Sequence, residues 1–231
     1  MRNIRFRFVI FLMAFTVVMN CPKGLHASSD AANNWVEQGV IDGVKVFKME
    51  IPGSPLFAFK GEIVAPIHIG KIMSTFTDAS QRKEWVDRYY AQESLFKDRP
   101  LAERYWIRFD LPFPITDRDY VMEFEAVPNA TNRTIISTVK STIDPKKPEQ
   151  ECCVRAVVEG TFYKFEAVPG KEETRMTVEV RTNPKGLLPG WLVNLIQKKW
   201  PSKTLSGLIR ASEKNNKIHP DFADWHQAAK K

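Results

Sequence analysis

Between residues 89 and 181 the pattern is almost purely that of β-strands, and in several of them apolar and polar side chains alternate cleanly with a period of two. Tyr120, Met122, Phe124 and Ala126 fall on one side of a strand and Glu123 and Glu125 on the other; Met176, Val178 and Val180 likewise oppose Arg175, Thr177 and Glu179. One wet face and one apolar face are the mark of an antiparallel sheet. The pattern predicts strands over 44–51, 57–64, 89–96, 104–111, 120–127, 134–143, 152–168 and 175–181. Pro52-Gly53-Ser54-Pro55, Pro128-Asn129-Ala130, Asp144-Pro145-Lys146-Lys147-Pro148 and Val168-Pro169-Gly170 supply turns between them.

Helical spacing appears in three places. Ile67, Ile69, Ile72, Met73 and Phe76 follow Pro66, which suits a first helical turn, and a second short helix is expected over 80–85. The longest predicted helix covers 189–211, with Trp191, Leu192, Leu195, Ile196, Leu205, Leu208 and Ile209 as its apolar stripe and Lys198, Lys199, Lys203 and Arg210 facing away. It is roughly 34 Å long at ~1.5 Å per residue, and Pro201 inside it removes a hydrogen bond and bends it. An amphipathic segment over 31–37 is anchored by Trp35, and residues 212–231 read as a loosely ordered tail.

This order implies an α+β chain in which an antiparallel sheet ends in one long helix. The apolar face of such a sheet is buried on the helix or on something held between the two. The second arrangement makes the chain a container, and a filled core shows the same sequence pattern.

The N-terminus changes the charge argument. Arg2, Arg5 and Arg7 precede an apolar run over 8–19, and Leu25-His26-Ala27 closes on a small residue, the layout of an export signal cleaved after Ala27. The apolar run reaches roughly 18 Å, short of a ~30 Å bilayer core. Alternatives are an uncleaved membrane anchor or a lipidated Cys21, although Asn20 fits a lipoprotein box poorly. The expected address is periplasmic or secreted. Without residues 1–27 the basic residues fall from 34 to 30 against 27 acids, so the net charge falls from +7 to +3. That surplus excludes a nucleic-acid footprint. The remaining 204 residues suit one domain and a monomer.

Cys152 and Cys153 are adjacent. Neighbours on a strand point to opposite faces, so both are read as strand residues rather than as a bridge or a soft-metal pair. No catalytic or cofactor motif of the nucleophile-elbow, zinc-helix or phosphate-loop type is present, and His68 stands isolated in sequence. The expectation is a non-enzyme without cofactor.

Three stretches, in order, resemble the START family, the steroidogenic-acute-regulatory-related lipid-transfer domains. They are Trp35 with Gly39-Val40 and Gly43-Val44-Lys45-Val46; Tyr105-Trp106 through Pro112-Phe113-Pro114 to Arg118-Asp119-Tyr120-Val121; and Gly186-Leu187-Leu188-Pro189 with Trp191-Leu192-Val193-Asn194 and Lys199. The resemblance spans residues 31–211 and implies a helix-grip fold, a curved sheet wrapped around the C-terminal helix with an internal hydrophobic tunnel. It also implies non-enzymatic binding of one lipid, sterol or fatty acyl compound, gated by that helix and the loop before Arg118. The alternative within the wider superfamily is a polyketide cyclase or aromatase using the same cavity.

On this reading Arg118 is the polar contact for the ligand, or else a structural ion pair with Asp117, Asp119 or a neighbouring strand; Glu103 and Asp110 are further candidate partners. Trp106, Tyr120, Met122, Phe124, Phe162, Phe165, Trp191, Leu192 and Leu195 are the candidate lining, each also readable as ordinary core. Phe113, Leu187, Leu188 and Trp191 are expected at a gate that touches a membrane transiently, with Lys198 and Lys199 favouring anionic lipid.

Overall fold

The computed structural model describes residues 34–227. The expected export signal and Cys21 lie outside the described residues. The amphipathic segment over 31–37 is described only from residue 34, and it runs directly into the first strand. The elements are β1 (Val36–Ile41), β2 (Val44–Glu50), β3 (Phe57–Ala65), α1 (Ile69–Phe76), α2 (Arg82–Trp85), β4 (Tyr89–Arg99), β5 (Ala102–Phe109), β6 (Asp117–Asn129), β7 (Thr134–Ser141), β8 (Cys153–Arg155), β9 (Val157–Ala167), β10 (Thr174–Asn183) and α3 (Gly190–Lys214).

The strands form one open sheet in the order β1-β2-β3-β10-β9-β7-β6-β5-β4, with antiparallel neighbours throughout. Short β8 adds a parallel pairing to the start of β6, Asp119 opposite Arg155. The helices α1, α2 and α3 cover one face. Tyr120, Met122, Phe124 and Ala126 of β6, and Met176, Val178 and Val180 of β10, are buried on that inner face, as the alternation implies. Pro66 falls between β3 and α1 rather than in the first helical turn, and His68 takes the N-cap instead, its ring nitrogen accepting from the Gly70 amide. Among the described residues no helix is long and apolar enough to cross a membrane.

The long helix lies across β2, β3 and β10. Gly61 of β3 makes this possible: a Cβ there would stand 2.7 Å from the Cβ of Pro201, so the strand must be bare where the helix proline rests. The stripe expected along α3 holds for its second half, where Leu205 and Leu208 are fully buried. It fails in the first half. Trp191 and Leu195 are 69% and 54% exposed, and the buried positions are Val193 and Gln197. The cavity described below separates this end from the sheet, so an apolar stripe has nothing to pack on there.

Two further expectations are corrected. Cys152 and Cys153 form a disulfide between neighbours. Cys152 lies in the turn before β8 and not on a strand, so the alternation that would point the two thiols apart does not apply. Residues 212–227 are not a loose tail. The helix continues to Lys214, and Phe222 is 1% exposed within the main core, its ring against Trp225.

A pair of histidines holds this segment down. The Ile69 amide donates to Nε2 of His226 at 2.8 Å, and Nδ1 of His226 faces the Lys171 carbonyl at 2.6 Å. Nδ1 of His68 accepts from the Gly70 amide at 3.0 Å, and its Nε2 faces the Ala223 carbonyl at 3.1 Å. Each ring therefore accepts at one nitrogen and donates at the other, which only the neutral imidazole can do. The rings lie 4.4 Å apart at the N-terminus of α1, where positive charge is disfavoured. Burial, and then neighbouring His226, lower the pKa of His68 from 6.5; Glu172 opposes and Lys71 reinforces the shift. A histidine whose pKa is lowered on folding contributes full stability above its unfolded value, and that contribution is lost as pH falls below 6.5 toward the folded value. Hydrogen exchange of residues 215–227 is thus expected to accelerate as pH drops from 8 to 5.5, after correction for intrinsic rates. His68→Gln, which cannot take up the proton, should flatten that response; an equal acid response in the variant would show that His68 is not its source.

Candidate functional site

Under the N-terminal half of α3 the inner face is not filled. A cavity of about 470 Å³ lies there, within the size range of clefts that enclose drug-sized molecules. Its floor is Tyr105, Ile107 and Phe109 of β5, Tyr120 and Met122 of β6, Val139 of β7, Val158, Thr161 and Tyr163 of β9 and Val180 of β10. Its roof is Trp85 and Val86 at the end of α2, with Leu188, Val193, Ile196, Gln197, Trp200 and Thr204 from α3 and the loop before it. Arg88, Lys199 and the pair Lys203–Asp87 stand at the rim. Lys199 and Lys203 thus face the opening rather than away from it.

Of the residues expected on the lining, Arg118, Tyr120, Met122 and Leu195 are brought to this cavity. Phe124 and Phe165 face inward but not into the void: both pack on Phe76, at 5.5 and 5.1 Å between ring centres, where α1 closes the far end of the sheet. Phe162 is on the outer face. It pairs with Glu179, while Thr161 and Tyr163 pair with inward Val180 and Val178. Positions 162 and 165 have opposite parity on one strand, so they cannot share a face. Trp106 is also outside. It joins Leu95 and Val121 in a second apolar cluster, and its indole N–H donates to Asp119. Leu192 is half-buried away from the cavity, and Trp191 is exposed.

The residues expected at a gate are Phe113, Leu187, Leu188 and Trp191. Phe113 is 98% exposed and Leu187 fully so, while Leu188 is half-buried and lines the cavity. The loop holding Phe113 contains a cis Phe113–Pro114 bond and leads into the acidic-basic run of β6. That run is a clasp. Asp117 accepts from Arg108 and from the Leu111 amide, and this backbone hydrogen bond, then Arg108, holds its carboxyl below the usual range. Asp119 accepts from Trp106 and Arg155. Arg118 points the other way and donates to three carbonyls, those of Thr116, Pro184 and Lys185. It thereby ties the loop between β10 and α3 to β6, and forms no ion pair with Glu103 or Asp110. Burial lowers its pKa, the expected direction for a cation desolvated against neutral carbonyls.

Glu103 instead pairs with Arg82, a residue that sequence reasoning did not single out. The Arg82 guanidinium also donates to Gln92 at 3.0 Å and lies 4.0 Å over the Tyr105 ring. Both partners of the ion pair are about 95% buried. Nothing in the spacing of Arg82-Lys83-Glu84-Trp85 reveals this, because its partner is 21 residues away on another element. Burial pushes the phenols of Tyr105, Tyr120 and Tyr163 up, so they stay protonated at any working pH. The arrangement can enclose an apolar molecule and offer it neutral polar groups.

No family model matches the chain. An uncharacterised protein of Pseudomonas aeruginosa is 29% identical over 189 residues, 81% of this chain and 91% of that protein. The phosphatidylcholine transfer protein of Mus musculus is 24% identical over 181 residues, 76% of this chain and 82% of that protein. The crystal structure of a STAR-related lipid transfer protein fragment from Xanthomonas axonopodis superposes with a TM-score of 0.68 at 24% identity, covering 78% of this chain and 99% of the fragment. With its open antiparallel sheet, its long C-terminal helix and relatives of this kind, the chain has the helix-grip fold of START-domain proteins and is similar to them in sequence.

Proposed function

We propose that this chain binds one hydrophobic molecule in the cavity beneath α3 and carries it between membranes, without catalysing a reaction. The observation that carries the proposal is the void of about 470 Å³, walled mainly by apolar and aromatic side chains and roofed by a helix. A ligand burying ~400 Å² of apolar surface there gains roughly 10 kcal/mol before ordering costs. The similarity to START-domain proteins, including one named as a phosphatidylcholine transfer protein, supports the same reading.

The mouth supports transfer rather than storage. Phe113, Leu187, Trp191 and Leu195 are exposed apolar side chains, and Lys198, Lys199 and Lys203 stand on the same end of α3. Apolar side chains of this kind insert at an interface, and each nearby cation adds attraction to anionic headgroups. In the proposed cycle this end meets the membrane, the gate loop and α3 part, and the ligand exchanges without crossing water. With residues 1–27 taken as an export signal, that membrane lies beyond the cytoplasm.

Native mass spectrometry of the purified chain, followed by lipid extraction, tests the proposal. The expected result is one co-purifying or loadable lipid per chain. Thr161→Trp, which places an indole in the middle of the floor, is expected to abolish loading while leaving the thermal midpoint within a few degrees. Equal loading of the variant would remove the cavity as the site. Chemical conversion of an aromatic polyketide would favour the cyclase alternative.

A further inference from the structure

A second, smaller void lies at the N-terminal end of α3. Its volume is about 180 Å³, and it sits between the β2–β3 turn at Ser54, Pro55 and Leu56, the loop after β10 and the first turn of the helix. Pro184, Leu188 and Val193 line both this void and the main cavity, so a single layer of residues separates the two. Asn194 bridges the gap between turn and helix. Its Oδ1 accepts from the Phe57 amide at 3.0 Å, and its Nδ2 donates to the Pro55 carbonyl at 3.0 Å. An amide N–H only donates and a carbonyl only accepts, so the orientation of the Asn194 side chain is fixed. Gly190 closes the gap beside it: a Cβ there would lie 3.3 Å from the Cβ of Pro55.

This end of α3 is lightly fastened. Its N-cap, Pro189, makes no side-chain cap bond, and the first turn carries no acidic residue to offset the helix amides. The cavity keeps it off the sheet. Beyond Asn194, the Gln197 amide ties the following turn to the Thr182 carbonyl, and Arg118 holds the preceding loop. The two voids also differ in charge. The rim of the main cavity carries Asp87, Arg88, Lys199 and Lys203, whereas Lys185 is the charged residue of the small void. Leu187 and Trp191, next in sequence to its wall residues Leu188 and Gly190, are exposed. An apolar chain that leaves past such side chains desolvates fewer ions than one that crosses the charged rim.

Resting on the carrier reading, we infer that the apolar part of the ligand enters and leaves between the β2–β3 turn and the first turn of α3, with Asn194 as the latch of that passage. When the two Asn194 bonds part, the helix end lifts from Pro55, Leu188 and Val193 withdraw, and the two voids become one. Asn194 lines neither void and is a positioning residue: it sets how often the passage opens.

The test locks the passage. A disulfide spans ~3.5–4.5 Å between Cβ atoms, so Pro55→Cys combined with Gly190→Cys places two thiols close to bridging distance. The full chain is loaded from vesicles of phosphatidylcholine, phosphatidylglycerol and oleic acid and then oxidised. It is next mixed with vesicles of the same composition carrying deuterated acyl chains, and replacement of the bound lipid is followed by native mass spectrometry. The oxidised double variant is expected to exchange at least about ten-fold more slowly than the wild type treated alike, because the opening step gates release. Dithiothreitol should restore its rate. Asn194→Ala should exchange about ten-fold faster, as two hydrogen bonds of the closed state are lost, while the amount bound at equilibrium stays the same. Exchange by the crosslinked chain at the wild-type rate places the passage at the charged rim and overturns this inference, as does an unchanged rate in Asn194→Ala; both leave the carrier reading standing. Uptake of no lipid by the wild type overturns the carrier reading itself.

Discussion

Replacing Asp119 by alanine is expected to cost about 3–5 kcal/mol, the range for removing one partner of a buried charge pair. Its side chain is fully buried on the outer side of β6. One carboxylate oxygen accepts from Nε of Arg155 at 3.0 Å; the other accepts from Nη2 of Arg155 at 2.8 Å and from the Trp106 indole at 2.7 Å. Truncation strands a guanidinium that is only 17% exposed together with an indole N–H under the second apolar cluster. It also weakens the parallel pairing of β6 with β8, where Asp119 opposes Arg155 and accepts a backbone bond from Ala156. Urea unfolding followed by tryptophan fluorescence measures the loss. Asp119→Asn should recover only part of it, because an amide lacks the charge that Arg155 requires. A loss under about 1 kcal/mol for the alanine variant would mean that the clasp is not a stabilising element.

Arg118→Met is expected to cost about 2–4 kcal/mol, since three carbonyls lose a charged donor and the methionine keeps only the apolar stem. The effect should be local before it is global. The carbonyls of Pro184 and Lys185 belong to the loop that leads into α3, and Gly186 of that loop sits so close that a Cβ would lie 3.2 Å from the Arg118 guanidinium. Amide exchange over 184–192 should rise in the variant, and lipid exchange with vesicles should quicken with it. Arg118→Lys should not restore either, because one ammonium cannot reproduce a planar fork reaching three carbonyls. If lipid capture were lost while the loop stayed protected, Arg118 would be a ligand contact and not the tether.

The two variants divide a motif that sequence reading treated as one. Within Asp117-Arg118-Asp119-Tyr120, alternate residues face opposite sides of β6. The carboxylates serve the outer face, whereas Arg118 and Tyr120 serve the cavity side. Strand parity already implies this division. It also implies that Phe162 and Phe165 part company, and that Trp106 opposes Tyr105 and Ile107. Those two misplaced lining residues were legible errors.

Other errors were not legible. Arg82 and Glu103 are 21 residues apart, and His226 reaches the start of α1 across 157 residues. Each of these side chains reads alone as a solvated charge or an isolated histidine. Only chain closure brings the partners together. The same holds for Gln197, whose side-chain amide donates to the Thr182 carbonyl on β10.

Periodicity is a local property of the backbone, set by the pleat of a strand and the turn of a helix, so the sequence alone determined the antiparallel strands, their inward faces and the long closing helix. Whether the inward face is filled depends on how far the helix stands from the sheet. That distance is set by Gly61 beneath Pro201, by Phe76 at the closed end and by tethers such as Arg118, contacts between elements far apart in the chain. The cavity and the polar side chains that line it were therefore decided by the tertiary structure.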